Sequence, residues 1–150
     1  MMNNKLISKN IKGFTLIELL IVVAIIGVLA TLLMANFIGV RQRARDVQRK
    51  SDLRQIQSAL EIYRSDQGIY PLTGGFPACG SPLAYGTAPN QVTYMTKIPC
   101  DPLGGSYTYT SASGVSYTLY TCLENLNDSQ KDTTDSCSSA FTVSFTVRNP

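Results

Sequence analysis

The chain has 150 residues, with 13 Lys+Arg against 10 Asp+Glu, no His and four Cys. That is room for one domain with an appended element, and the lack of His excludes Ser-His-Asp catalysis, Cys-His catalysis and imidazole zinc sites. The net charge of +3 resides in Lys5, Lys9 and Lys12, and the rest of the chain balances, so its body is not basic in the manner of a nucleic-acid binder.

The first element is an apolar run. Between Phe14 and Val40 the only charged residue is Glu18, and Leu19–Val40 carries none. About 20 apolar residues span a bilayer as a helix. A secretory signal peptide has a basic start and a core of about 7–15 apolar residues, and Val28-Leu29-Ala30 resembles its cleavage site. The run continues past that point to Val40, which is too long for such a core. Glu18 needs its own account. A carboxylate at the middle of a membrane helix costs about 2.5–3.5 kcal/mol on insertion scales. In a first turn, however, the helix dipole and unpaired N–H groups favour an anion. Thr15 and Glu18 also have the T-x-x-E spacing of a capping box, so a purely local cap is the plain reading.

Gly13-Phe14-Thr15-Leu16-Ile17-Glu18, after a short Lys-containing leader, resembles the type IV prepilin and pseudopilin family. The resemblance implies that a prepilin peptidase cuts after Gly13 and methylates the new amine of Phe14. The mature chain would then be Phe14–Pro150. It also implies that Glu18 pairs with the Phe14 amine of a neighbouring subunit during assembly. Many family members carry a proline where this chain has Ala35; that proline is linked to local helix melting in filaments, so the resemblance leaves melting open here, where Gly27 and Gly39 still weaken the helix by about 1 kcal/mol each.

The helix is expected to continue beyond Val40. Arg41–Asp66 has no Pro and no Gly. Val40, Ala44 and Val47, then Leu53, Ile56, Leu60 and Tyr63, recur at helical steps, with a slip between Val47 and Leu53. Gly68 and Pro71 supply the stop. A helix from Phe14 to Asp66 would be about 80 Å long at 1.5 Å per residue, as a pilin would have. Arg41, Arg43, Arg45, Arg49, Lys50 and Arg54 make a basic segment diluted by Asp46 and Asp52. A solvated face near lipid phosphates is its ordinary reading; contact with DNA or anionic lipid is the sharper one, and the absence of interleaved aromatics argues against nucleic acid. Counting Lys and Arg would place this flank inside the cell, whereas the cysteines and the family resemblance place it outside.

After Gly68 the composition turns to Gly, Pro, Ser, Thr and Tyr. Pro71–Thr96 reads as a long loop region. Ser106–Thr110 and Ser116–Cys122 read as a hairpin, and Ala140–Val147 as a half-buried strand with Phe141, Val143, Phe145 and Val147 on the inner face. That face should cover the helix around Leu53–Tyr63. The stretch Lys97-Ile98-Pro99-Cys100-Asp101-Pro102-Leu103-Gly104, with Tyr107 and Tyr109, resembles the major pseudopilins, as does Ser58–Tyr63 with Gly68 and Tyr70-Pro71.

Cys79, Cys100, Cys122 and Cys137 form an even set in a small, loop-rich segment, which reads as two disulfides rather than a zinc site. Three connectivities are possible. Cys79–Cys100 with Cys122–Cys137 is the favoured one, stapling the turn-rich region and closing the polar loop between the last two strands. That loop, residues 124–136, is acidic. Oxygen ligands at close spacing suit calcium, and the resemblance implies a comparable calcium loop, with Asp128, Asp132 and Asp135 as ligands. There is no EF-hand pattern, and a merely solvated loop with no cofactor is the ordinary reading.

The expected fold is therefore α+β, a pilin fold: one long helix on a small antiparallel head. The expected divisions are 1–13 leader, 14–40 transmembrane and filament-core half-helix, 41–67 amphipathic half-helix and 68–150 head. The expected role is structural rather than enzymatic: a subunit of a type IV pilus or of a type II secretion pseudopilus. The resemblance implies a homopolymer with minor pilins or pseudopilins, an assembly platform with its ATPase, and residence in the inner membrane before assembly with the head outside the cytoplasm. The alternative is an adhesive or DNA-uptake pilin whose head binds a ligand.

Overall fold

The computed structural model describes residues 13–133, 137 and 141–149. The chain divides into two compact units, Met1–Ile38 and Gly39–Pro150. Helix α1 spans Leu16–Gln67, 52 residues, with Glu18 in its first turn and Arg64 in its last, each the sign the helix dipole favours. Gly68 ends it, at φ 78°, with its N–H on the Arg64 carbonyl. This left-handed position suits glycine because a Cβ would crowd the backbone.

In the first unit the segment Leu16–Met34 has a mean hydropathy of 2.9, and none of it is buried within the chain. It is long and apolar enough to cross a membrane.

In the second unit, Leu53, Ile56, Leu60 and Tyr63 line one face of α1 and are buried. Against them pack Leu83, Ile98, Leu119 and Val147, together with Tyr70, Tyr107, Tyr109 and Tyr117. Strands β1 (Leu83–Tyr85) and β2 (Val92–Met95) form an antiparallel pair. Strands β3 (Thr108–Thr110), β4 (Thr118–Leu123) and β5 (Val143–Arg148) form an antiparallel sheet in that order, with Tyr109 opposite Leu119 and Leu119 opposite Val147. The architecture is the expected α+β pilin fold. Aromatic rings fill the space under the sheet: Phe76 stacks on Tyr109 at 4.2 Å and Tyr70 meets Tyr117 edge-on at 4.7 Å.

Three sequence expectations need correction. Residues 71–96 are not all loop: they contain a 3-10 turn at Thr73–Gly75 and the β1–β2 pair. These strands are three and four residues long with a register shift between them, too short for alternation to show. The apolar stripe does not run through Val40, Ala44 and Val47, which are exposed; the buried face of α1 is continued instead by Asp46, Arg49 and Asp52. Finally, the outer side of β5 is not simply solvent-facing. Ser144 is fully buried, because Asp132 pairs with it in an isolated antiparallel bridge that lays the preceding loop along the strand.

Candidate functional site

Gly13 and Phe14 precede α1 in exposed chain outside the helix, with Phe14 86% accessible. The capping box forms. The Thr15 N–H and hydroxyl both donate to Glu18 Oε2, at 2.9 and 2.8 Å, while the Glu18 N–H donates to Thr15 Oγ1 at 3.3 Å. Both Thr15 bonds end on one carboxylate oxygen, and an ionised carboxylate offers about four lone-pair positions. Glu18 thus serves locally as a cap while retaining capacity for an ammonium partner.

A second constellation lies in the head unit. Arg49, 2% exposed, donates to three carboxylates at once. Its Nε and Nη2 reach Asp101 at 2.6 and 3.0 Å, and its Nη1 reaches Asp46 at 2.7 Å and Glu124 at 2.8 Å. Arg45 Nε adds a bond to Glu124 at 2.7 Å. Asp46 in turn accepts the backbone N–H groups of Glu124 and Asn125 at 3.1 and 2.8 Å, tying the end of β4 to α1. One turn further along α1, Asp52 accepts the Tyr107 hydroxyl at 2.6 Å. The charges behave accordingly. Burial would lower the Arg49 pKa, but its three carboxylates outweigh that and raise it. The Arg45 bond, followed by Arg49, holds Glu124 below the usual carboxylate range. Burial, then the Asp52 bond, pushes the Tyr107 phenol up.

This corrects the reading of Arg41–Arg54 as a solvated or lipid-facing basic face. Arg45, Arg49 and Lys50 are matched within the head by Glu124, Asp101 and Asp128. Arg43 and Arg54 remain on the exposed side. What sequence reasoning missed is the charged latch. Its signal was present: two aspartates amid arginines, just where the apolar stripe breaks, with the other acids about 50 and 75 residues downstream.

Cys79 bonds Cys100 and Cys122 bonds Cys137, with Cα–Cα distances of 4.9 and 5.8 Å. Of the three calcium candidates, Asp135 lies outside the described residues. Asp128 Oδ2 accepts Lys50 Nζ at 2.8 Å and its Oδ1 accepts the Gln130 N–H at 2.8 Å. Burial raises the Asp128 pKa, and these two bonds outweigh it, so the net shift is downward. Asp132 turns its carboxylate to β5, accepting the Ser144 hydroxyl and, at 2.8 Å, the Thr146 N–H. Among the described residues no three His, Cys, Asp or Glu side chains gather as a metal-holding group.

An apolar helix with a single capped acid in its first turn, whose later half carries a disulfide-bridged antiparallel head, defines a pilin-type subunit. Comparison with known families narrows the class. Residues 8–34 match the prokaryotic N-terminal methylation motif, and residues 36–139 match type II secretion system protein G. The chain belongs to the type II secretion system protein G family, and it is a structural subunit of the pseudopilus. Of the two filament types left open by the sequence, the match is to the secretion pseudopilus. The chain is similar to the type II secretion system core protein G of Escherichia coli K12, 34% identical over 64% of this chain and 69% of that protein. It is 36% identical to the Klebsiella pneumoniae core protein G, over 64% of this chain and 71% of that one. For the Vibrio cholerae core protein G the figures are 32%, 66% and 70%. No solved structure matches.

Proposed function

We propose that the chain is cut between Gly13 and Phe14 by a prepilin peptidase, methylated on the new Phe14 amine, and held as a single-pass inner-membrane protein with its head outside the cytoplasm. It is then drawn into a homopolymer, together with minor pseudopilins, by an assembly platform and its ATPase. Its work is assembly, not catalysis; the strongly perturbed charges of the head are engaged in holding β4 and the loops to α1. The divisions are a leader 1–13, a core half-helix 14–40, an amphipathic half-helix 41–67 and a head 68–150.

The observation that carries this reading is Glu18, the one charge in the apolar run, set in an exposed first turn four residues from Phe14. Moving an apolar helix from lipid to a core of like helices changes its burial little, so register must come from polar groups. An ammonium at Phe14 and a carboxylate at Glu18 on the next copy supply it. The contact is heterologous, and so does not close on itself.

Glu18→Ala tests this. Losing a cap costs about 0.5–2 kcal/mol, which a 52-residue helix survives. Losing the ion-pair partner leaves a buried unpaired ammonium, which is far worse. The expected outcome is processed protein at normal levels in the membrane fraction, with few or no filaments in electron micrographs. Glu18→Gln should fall between. Abundant normal filaments from Glu18→Ala would reduce Glu18 to a local cap.

A further inference from the structure

Residues 124–133 look, by composition, like a loop waiting for a divalent cation. Each of their described carboxylates is turned to a different partner. Glu124 is held by Arg45 and Arg49. Asp128 is held by Lys50 on one oxygen and by a backbone N–H on the other. Asp132 spends both oxygens on β5. Asn125 Oδ1 accepts the Asn127 N–H at 3.2 Å in a local turn. Calcium takes six to eight oxygen ligands at about 2.3–2.6 Å, and among the described residues no three acidic side chains converge to begin such a set.

From this we infer that the loop carries its own cation: the Lys50 ammonium on α1 does the work that a bound divalent ion would do, so the head folds and holds this loop without calcium. The Lys50 and Asp128 side chains are 13% and 12% exposed, so the pair is largely shielded from water and salt. The disulfide Cys122–Cys137 closes the same loop from the other side, and the Asp132–Ser144 bridge seats it on β5. An ammonium on a helix differs from a metal in being covalently present and indifferent to chelators. A calcium ion placed beside Asp128 would also face that ammonium as a like charge.

The test uses the full chain in detergent micelles, with calcium chloride and a calcium chelator as probes. Two readings are taken: the thermal midpoint by circular dichroism, and trypsin cleavage after the exposed Lys131, resolved on reducing gels. Expected for the wild type are the same midpoint and the same slow cleavage with chelator and with millimolar calcium. Expected for Lys50→Gln is a midpoint lowered by about 4–8 °C and faster cleavage after Lys131, with Lys50→Arg recovering part of the loss. A wild-type midpoint that rises with calcium or falls on chelation would overturn the inference, as would Lys50→Gln behaving like wild type in both readings. Should Lys50→Gln fail to fold, the wild-type calcium titration alone decides.

Discussion

Arg49 shows what a single residue contributes to this head. A guanidinium taken out of water loses several kcal/mol of hydration, and only good geometry to several acceptors offsets this. Arg49 has such acceptors in Asp101, Asp46 and Glu124. Removing it leaves three carboxylates facing one another. Arg49→Leu should therefore destabilise the head by about 3–5 kcal/mol in denaturant unfolding. Arg49→Lys, which keeps the charge but not the two-pronged grip on Asp101, should lose less. Titration gives a second expectation. Glu124 and Asp128 have folded pKa values below their unfolded values of about 4.3 and 3.9, so the stability they supply is complete above that range and is lost as pH falls below about 4. The buried phenols act at the other end. Burial pushes Tyr109 up to about 12, and Tyr107 and Tyr117 rise as well. Their stabilisation is present below about pH 10 and is lost as pH climbs past it. Melting temperature against pH should show a plateau with both shoulders; an acid limb as flat as neutral pH would contradict the ionised latch. Little of this was legible beforehand. Charges at helical spacing look the same whether they face water or acids supplied from about 50 to 79 residues away.

Among the elements, α1 was the most legible, because its signals are local: a capping box, an uninterrupted helical stretch and a stop glycine all lie on the helix or beside it. Leu53, Ile56, Leu60 and Tyr63 gave its inner face correctly, since apolar burial is the commonest reason for that period. Its continuation through Val40, Ala44 and Val47 failed because the opposite face is anchored by ion pairs, which hydrophobic periodicity cannot see. β3, β4 and β5 were found within a few residues, whereas β1 and β2 were missed, being short and set among turn residues. The polar side of β5 was misjudged because its cover, Asp132, is supplied by a loop. One turn is demanding enough to test. Gly114 has φ 73°, its carbonyl accepts the Tyr70 N–H at 2.8 Å, and a Cβ there would lie 3.1 Å from both Ile69 Cβ and the Tyr70 carbonyl oxygen. Gly114→Ala should cost about 1–3 kcal/mol through strain and displaced chain, read as a lower thermal midpoint. An unchanged midpoint would mean that the β3–β4 connection adjusts freely.

At the scale of the whole molecule, two different solvents explain the layout. Leu16–Met34 is apolar on every face and none of it is buried among the described residues, so it needs lipid or other apolar helices around it. The unit from Gly39 onward buries its apolar face on itself and turns acidic side chains inward, on Arg45, Arg49, Lys50, Tyr70, Tyr107, Ser144 and backbone N–H groups. Under the proposed function, such a head would stay folded while the apolar helix exchanges lipid for a filament core. The family was legible from a six-residue motif and a scattering of prolines, glycines and tyrosines, because such a motif resides in the sequence itself. The latch is read only by the fold, so it appears only there. The filament role requires that the apolar helix begin a mature subunit at Phe14 rather than be discarded as a signal. N-terminal mass spectrometry of the protein purified from membranes tests it most directly. The predicted result is a first residue of Phe14 carrying a methylated amine, with the whole apolar run retained. A first residue of Thr31, after Val28-Leu29-Ala30, would mean that the helix is cut away in transit and would contradict the filament account.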